Sequence, residues 1–418
     1  MKKLFGKSEL AVYFLKSIQA LSSVLLTFYI SWAYSLEEVG KFSGIQASAI
    51  VLATLALAGT NESIIYFVAK SKAKIARSYL KLSCAYFLLL LLGAGLLGHI
   101  ALSYFDFTSF DMLLEIIYLA LPLGVIMIIS GYCRGLDKAA NAAFYEIGII
   151  AFLTLLALLP LNYMFSEVDI LLVYTSITWI MLFVSIIQVA FATVGAESSG
   201  SNEGIKASEY LLGSLHFSVF SIVGMSTSYF TIMICSAFLD YEAVGLIKIA
   251  QQLCILVSFV LVLGNFVLPV KYLRLYESNR LFELESLARK SSLIMFCVGS
   301  FIAIILFYSL EYIFLVFSVN IKDDSFVWLM VGGQLVNVAS GSVLTLLKMT
   351  GFVRVASILS IATAISYFLM LVIFGRFDGI DGVGYSMLVF FFFQNVTALY
   401  LVHRFIGINP VFFLRRVE

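Results

Sequence analysis

The feature that most constrains this chain is a series of long apolar runs that contain few or no charged residues. Each run is long enough for an α-helix to cross the hydrocarbon core of a membrane, which takes about 20 residues. The runs do not alternate apolar with polar residues, so they predict helices and not the strands of a membrane barrel. We place twelve predicted spans at 11–34, 43–69, 82–105, 112–133, 143–166, 170–194, 210–239, 244–270, 291–315, 326–347, 355–375 and 383–403.

Composition supports the same interpretation. Hydrophobic residues make up 62% of the 418-residue chain and charged residues only 12%, which leaves too few polar side chains to cover a soluble protein. The sequence therefore predicts an all-α polytopic membrane protein with about twelve transmembrane helices.

Lysine and arginine are unevenly distributed between the two sets of loops. Of the 26 basic residues, 21 lie in the N-terminal tail, in alternate loops or in the C-terminal tail, and three lie in the other loops. The remaining two, Lys16 and Lys248, lie inside predicted spans. Because cytoplasmic loops carry the excess of basic residues, the sequence predicts that both termini are cytoplasmic.

One sequence motif occurs twice, with a separation of about half the chain. The stretch LDYEAVGLIKIAQQLCILVSFVLVLG, shifted back by 205 positions, falls on YSLEEVGKFSGIQASAIVLATLALAG. The identities pair Glu242, Val244, Gly245, Gln251, Ile255 and Gly264 with Glu37, Val39, Gly40, Gln46, Ile50 and Gly59. The repeat predicts two equivalent halves, 1–195 and 210–418, each a six-helix bundle, joined by a Gly/Ser-rich cytoplasmic linker at 196–209.

A polar segment at 271–290 separates two of the predicted spans. Its apolar residues recur among charges in a pattern that suits a short amphipathic helix on the inner leaflet, and a solvated loop is the alternative. The predicted outer loops are short, so none of them can hold a soluble domain.

Four stretches of the chain together resemble a transporter family. They are SLEEVGKFSGIQA, GYCRGLDKAANAAFYEIG, LDYEAVGLIKIAQQL and KYLRLYESNRLFELESLARKSS. They resemble the polysaccharide-exporter branch of the multidrug/oligosaccharidyl-lipid/polysaccharide exporter superfamily, and most of all the Wzx-type O-antigen flippases. The resemblance implies two six-helix bundles around a central cavity that opens alternately to the cytoplasm and the periplasm. Many related exporters have an acidic and basic pair where this chain has Thr231 and Ile232, so no role for such a pair is implied.

The resemblance also implies a substrate and a location. The expected cargo is an undecaprenyl-pyrophosphate-linked oligosaccharide, the repeat unit of an O-antigen or related polysaccharide, carried across the bacterial cytoplasmic (inner) membrane. The expected partners are membrane lipid and the polysaccharide polymerase and chain-length machinery, with no nucleic acid and no cofactor.

Four basic residues are candidates for binding the anionic pyrophosphate. A charge at membrane depth costs at least about 2.5–3.5 kcal/mol, so each one that is retained requires a reason. The candidates are Lys16, Arg134, Lys248 and Lys348. The alternative for the two lysines within spans is that they extend to the headgroups, and the alternative for Arg134 and Lys348 is that they are interface charges that set the topology.

Polar residues near these cations are candidates for the cavity wall. The predicted lining residues are Gln19, Gln46, Asn61, Gln251 and Gln252. Glu62 is the candidate for coupling transport to an ion, and a structural ion pair with Lys16 or Arg134 is its alternative. A further group either lines a path or bonds helices together: His216, Gln334, Asn337, Gln394 and Asn395.

Motifs for enzyme chemistry are absent from the sequence. There is no GxxxxGK[ST] for ATP, no GxSxG, and no cysteine or histidine spacing for a metal, so we expect a non-enzyme that is driven by an ion gradient. A cation-coupled multidrug antiporter of the same superfamily is the alternative function. A membrane glycan polymerase ranks last because the outer loops are short.

Overall fold

The structure is a computed structural model that describes residues 7–69, 73–105, 110–136, 138–165, 168–193, 207–316, 319 and 324–413. Every regular element in these ranges is a helix. The first part of the chain forms α1 (Lys7–Ala33), α2 (Leu36–Leu57), α3 (Thr60–Ala69), α4 (Ala73–Phe105), α5 (Phe110–Gly135), α6 (Ala139–Phe144), α7 (Ile147–Met164), α8 (Ile170–Thr193) and α9 (Ala207–Met225). A π-helix (Ser226–Phe230) follows, and then α10 (Thr231–Cys235), α11 (Tyr241–Glu277), α12 (Leu281–Val316), α13 (Ser325–Ser340), α14 (Val343–Met349), α15 (Val353–Phe377) and α16 (Gly379–Ile406).

Ten of the described helices are long and apolar enough to cross a membrane. An eleventh span is formed if α13 and α14, which meet at a 41° bend, are counted together. The span predicted at 210–239 is divided among α9, the π-helix and α10. The prediction of an all-α polytopic membrane protein is confirmed, and the orientation of the termini stays a prediction.

The chain packs as two compact units. The first contains Met1–Tyr29 and Lys41–Met233, and the second contains Ile30–Gly40 and Ile234–Glu418. Most of the predicted linker, 196–206, lies outside the described residues, so the predicted domain boundaries stay a prediction.

In the first unit, α3 lies against α4, α5 and α9. The contact with α5 is close because α5 presents Gly131 and Gly135, four residues apart, on the face that meets α3. A Cβ atom on Gly131 would lie 2.3 Å from the carbonyl oxygen of Asn61. Small residues at such positions let the backbones of two membrane helices approach one another.

The predicted second span is broken. Ala58 and Gly59 have positive φ angles of 44° and 79°, and they end α2 before α3 begins. A Cβ atom on Gly59 would lie 2.1 Å from the carbonyl oxygen of Ser214 in α9. Gly59 therefore serves both the left-handed backbone and the close approach of α9.

In the second unit, α16 packs against α13 and α15, while α11 packs against α12 and α13. The prediction of a separate amphipathic helix at 271–290 is wrong. The segment is the end of α11 and the start of α12, two long helices joined by a turn in which Asn279 has a φ of 56°. Asparagine tolerates this left-handed conformation, which explains a tight helical hairpin at this point.

The two copies of the repeated motif contact one another within the second unit. A Cβ atom on Gly40 would lie 1.7 Å from the carbonyl oxygen of Tyr241, and one on Gly245 would lie 2.3 Å from the carbonyl oxygen of Leu36. Leu36 and Tyr241 occupy the same position in the two copies, as do Gly40 and Gly245. The contact is therefore reciprocal, and a glycine is required on each side of it.

Candidate functional site

The first unit contains an open cavity of about 420 Å³, a size typical of ligand sites. Its wall combines charged, polar and aromatic side chains within an apolar helical bundle. The lining residues are Asn61, Glu62, Met127, Ser130, Arg134, Tyr145, Glu146, Ile147, Gly148, Gly224, Met225 and Tyr229.

The first ion pair of the cavity joins α3 to α5. The break at Gly59 starts α3 again just before Glu62, and the close packing of α5 on α3 brings Arg134 to that carboxylate. Arg134 Nη2 donates to Glu62 Oε1 at 3.4 Å, and both side chains are a little over one third exposed. The distance is longer than the roughly 2.7–2.9 Å of a tight charged hydrogen bond, so the hydrogen bond within this ion pair is weak.

The second ion pair joins α1 to the connection between α6 and α7. Lys16 donates to Glu146, and both side chains are about one third exposed. Gln19, one turn further along α1, donates to the carbonyl oxygen of Ala143 at 2.5 Å. Gly148 lies so close to Gln19 that a Cβ atom would be 2.4 Å from its Cβ. These contacts fix the start of α7 against α1 and thereby hold Glu146 beside Lys16.

Two residues that line the cavity each have a buried oxygen atom without a hydrogen-bond partner. The atoms are Oδ1 of Asn61 and Oη of Tyr145, and these residues are only 5% and 1% exposed. An unsatisfied buried polar atom costs about 1–3 kcal/mol, so a hydrogen-bond donor brought to either oxygen would remove that cost.

The π-helix forms part of the same wall. Gly224 and Met225 precede it and Tyr229 lies within it, and all three line the cavity. Thr54 Oγ1 contacts Met225 Sδ at 3.0 Å, which joins this segment to α2. A π-helix is an irregularity that occurs often at functional sites, and its five residues interrupt the span predicted at 210–239.

The structure places the other predicted site residues as follows. Gln46 is buried in α2 of the first unit. Lys248 is half-buried in α11 of the second unit, together with the buried Gln251 and Gln252. Lys348 is half-buried in the last turn of α14. The roles of these residues in binding substrate stay predictions.

A polar network joins α13 to α16 in the second unit. Ser340 Oγ donates to Asn395 Oδ1 at 2.6 Å, and Asn395 Nδ2 donates to Asn337 Oδ1 at 3.3 Å. Asn337 Nδ2 in turn lies 3.3 Å from Gln334 Oε1. The network satisfies its own members, which is the arrangement expected of residues that bond helices together. The side chain of His216, which belongs to the same predicted group, lies outside the described residues.

Asn395→Ala tests whether this network stabilises packing or lines a path. We expect a loss of about 1 kcal/mol of stability, since hydrogen bonds between membrane helices are worth about that much, and no change in transport per folded molecule. Thermal unfolding and transport in proteoliposomes check the two parts, with His403→Ala as control because His403 is exposed in the last turn of the same helix. A transport defect at unchanged stability would instead assign Asn395 to a path.

Sequence reasoning missed Glu146, Tyr145 and Tyr229. The stretch AFYEIG carried a usable signal, because a glutamate lies there at the start of an apolar run that would otherwise bury it. Among the described residues there is no group of histidine, cysteine, aspartate or glutamate side chains that could hold a metal ion.

Comparisons with known proteins place the fold. No family model matches the sequence, and no curated protein matches it. Among solved structures, the MATE multidrug transporter DinF-BH is 17% identical over 97% of this chain and 95% of its own, with a TM-score of 0.65. The inward closed lipid II flippase MurJ is 12% identical over 94% and 87%, with a TM-score of 0.64. An inward-facing multidrug resistance MATE family transporter of the MOP superfamily is 14% identical over 95% and 98%, with a TM-score of 0.63. At these identities the likeness shows the fold, which is that of multi-pass membrane transporters.

Proposed function

We propose that this protein is a flippase for undecaprenyl-pyrophosphate-linked repeat units of an O-antigen or related polysaccharide in the bacterial cytoplasmic membrane. The observation that carries the proposal is the polar cavity of the first unit, with its two ion pairs. A lipid tail can stay in the membrane while it crosses, but a glycan requires a polar path through the bundle. Ionisable groups inside a membrane protein are costly and therefore indicate such a path.

The cavity favours this function over a cation-coupled multidrug antiporter. An antiporter for cationic drugs needs a carboxylate that is free to meet the drug. Both carboxylates in the cavity wall, Glu62 and Glu146, already face a basic side chain, so a cationic drug would have to displace it. The fold itself fits either function, because its neighbours include both multidrug transporters and a lipid II flippase.

Alternating access driven by an ion gradient is part of the proposal. Glu62 is the proposed coupling group, because its loose pair with Arg134 can open when a proton or cation takes the place of the guanidinium. Lys248 and Lys348 of the second unit are proposed to receive the pyrophosphate, and Gln46, Gln251 and Gln252 to line the path.

Transport in proteoliposomes tests the proposal. We expect purified protein to move a prenyl-pyrophosphate-linked oligosaccharide between leaflets, faster with an imposed ion gradient. Lys248→Ala should reduce the rate about tenfold, the effect of losing one interaction worth about 1.4 kcal/mol. Lys271→Ala is the matched control, because Lys271 lies on the same helix but is exposed near its end.

Two results would count against the flippase. One is the absence of movement with lipid-linked repeat units of several glycans. The other is gradient-dependent efflux of a cationic dye that is lost in Glu62→Gln, which would support the multidrug antiporter.

A further inference from the structure

The charges around the cavity of the first unit are balanced. Arg134 faces Glu62, and Lys16 faces Glu146, so the two ion pairs contribute two positive and two negative charges. Both predicted cations of this unit thus have an acidic partner within it. The sequence made Lys16 and Arg134 candidates for binding pyrophosphate, and it also offered an ion pair of Glu62 with one of them as an alternative. The structure pairs Arg134 with Glu62 and pairs Lys16 with Glu146.

A balanced site disfavours ligands that carry a net charge. An anionic group that approaches Arg134 also approaches Glu62, and the repulsion offsets much of the attraction. A cationic group meets the same difficulty with the two signs exchanged. Breaking either pair leaves one partly buried charge without its partner, which adds a further cost.

A hydroxyl group suits the same site well. It donates one hydrogen bond and accepts others, so it can bond to the carboxylate of Glu62 and the guanidinium of Arg134 at the same time. The bond between these two groups is already long at 3.4 Å, so the pair can open to admit a bridging hydroxyl. The buried Asn61 Oδ1 lacks a donor and Tyr145 Oη lacks a partner, and both lie beside the same cavity.

From these observations we propose that the cavity of the first unit binds the uncharged, hydroxyl-bearing sugar of the substrate and not its pyrophosphate. This inference rests on the proposed flippase function and specifies which part of the cargo the first unit recognises. The tyrosine ring of Tyr229 in the π-helix supplies an aromatic wall against which the apolar edge of a sugar ring packs.

Ligand binding to the purified full-length protein in detergent tests the inference. The probes are glucose, glucuronic acid and inorganic pyrophosphate, and saturation-transfer NMR reports their relative affinities. We expect the neutral sugar to bind at least about tenfold more tightly than either anion, since net charge is the main difference between the two sugars.

Two variants change the charge of the cavity in opposite directions. Glu62→Gln leaves Arg134 unpaired and should raise the affinity for glucuronic acid about tenfold, while Arg134→Gln should lower it. Glu115→Gln is the control, because Glu115 is exposed on the same helix as Arg134 and is not part of the cavity wall. If one variant fails to fold, the direction in which the other changes the affinity for glucuronic acid still tests the inference.

Several outcomes would overturn the inference. They are tighter binding of pyrophosphate than of the neutral sugar by the unaltered protein, no binding of the neutral sugar, or anion binding that does not respond to either variant. Transport of a lipid-linked oligosaccharide in proteoliposomes is measured separately. Intact transport together with a preference for pyrophosphate would refute the sugar site and leave the flippase standing.

Discussion

Replacing Gly40 by alanine is expected to destabilise the protein by about 3 kcal/mol, at the upper end of the usual cost of forcing extra atoms into a packed site. The added Cβ would lie 1.7 Å from the carbonyl oxygen of Tyr241 and 2.6 Å from its carbonyl carbon. Both are backbone atoms, so no side chain can rotate away and the start of α11 has to move. The midpoint of thermal unfolding of the purified protein is the measurement.

Gly93→Ala is the matched control, because a Cβ atom at Gly93 meets nothing within 4 Å. Alanine favours a helix over glycine by about 1 kcal/mol, so this variant should be neutral or slightly more stable. Gly245→Ala should behave like Gly40→Ala, since its Cβ would meet the carbonyl oxygen of Leu36. Equal midpoints for all three variants would show that the reciprocal contact is not required.

The second large effect is expected at the ion pair of Lys16 and Glu146. Lys16→Ala should slow transport of a lipid-linked oligosaccharide about tenfold, because it leaves Glu146 as an uncompensated charge beside the cavity. The double variant Lys16→Glu with Glu146→Lys restores the pair with its direction reversed and should recover most of the rate. Transport in proteoliposomes, normalised to folded protein, measures both.

The double variant separates two roles for this pair. Recovery of transport indicates that the pair itself is needed, as the balanced cavity requires. A double variant as poor as Lys16→Ala would show that the position of the ammonium group matters, which is what direct binding of pyrophosphate by Lys16 predicts. Thermal unfolding of the same samples shows whether either change acts through stability alone.

The sequence was sufficient to predict the fold class, because the hydrophobic length of each span depends only on local composition. The helical hairpin at Asn279 could also have been predicted, because the residues of the stretch ESNR suit a turn between two helical patterns. The break at Ala58 and Gly59 was not, because LALAGT reads as a continuation of an apolar helix. What favours the break is the approach of Ser214 in α9, a contact between distant parts of the chain.

In the candidate site, too, the residues recognisable from their own sequence context were predicted, and the partner that lies far away in the sequence was not. Sequence reasoning identified Lys16, Arg134 and Glu62 as charges that need an explanation, and it offered a pair between Glu62 and Arg134 as one alternative. It did not find Glu146, which lies 130 residues from its partner Lys16. A partner so distant in the sequence is set by the packing of α1 against the α6–α7 connection, and no local pattern records it.

The reciprocal contact between Gly40 and Gly245 also bears on how such a chain can arise. At the axis of a symmetric dimer, residue i of one subunit contacts residue j of the other, and residue j of the first contacts residue i of the second. The contacts of Gly40 and Gly245 follow this rule. Two identical half-length polypeptides would build such a contact from a single glycine codon. Once the gene is duplicated and fused, the same helix contact depends on two codons that mutate independently. Replacing either glycine then disrupts the contact between the two helices. The repeated motif is therefore expected to retain both glycines long after the surrounding residues of the two copies have diverged.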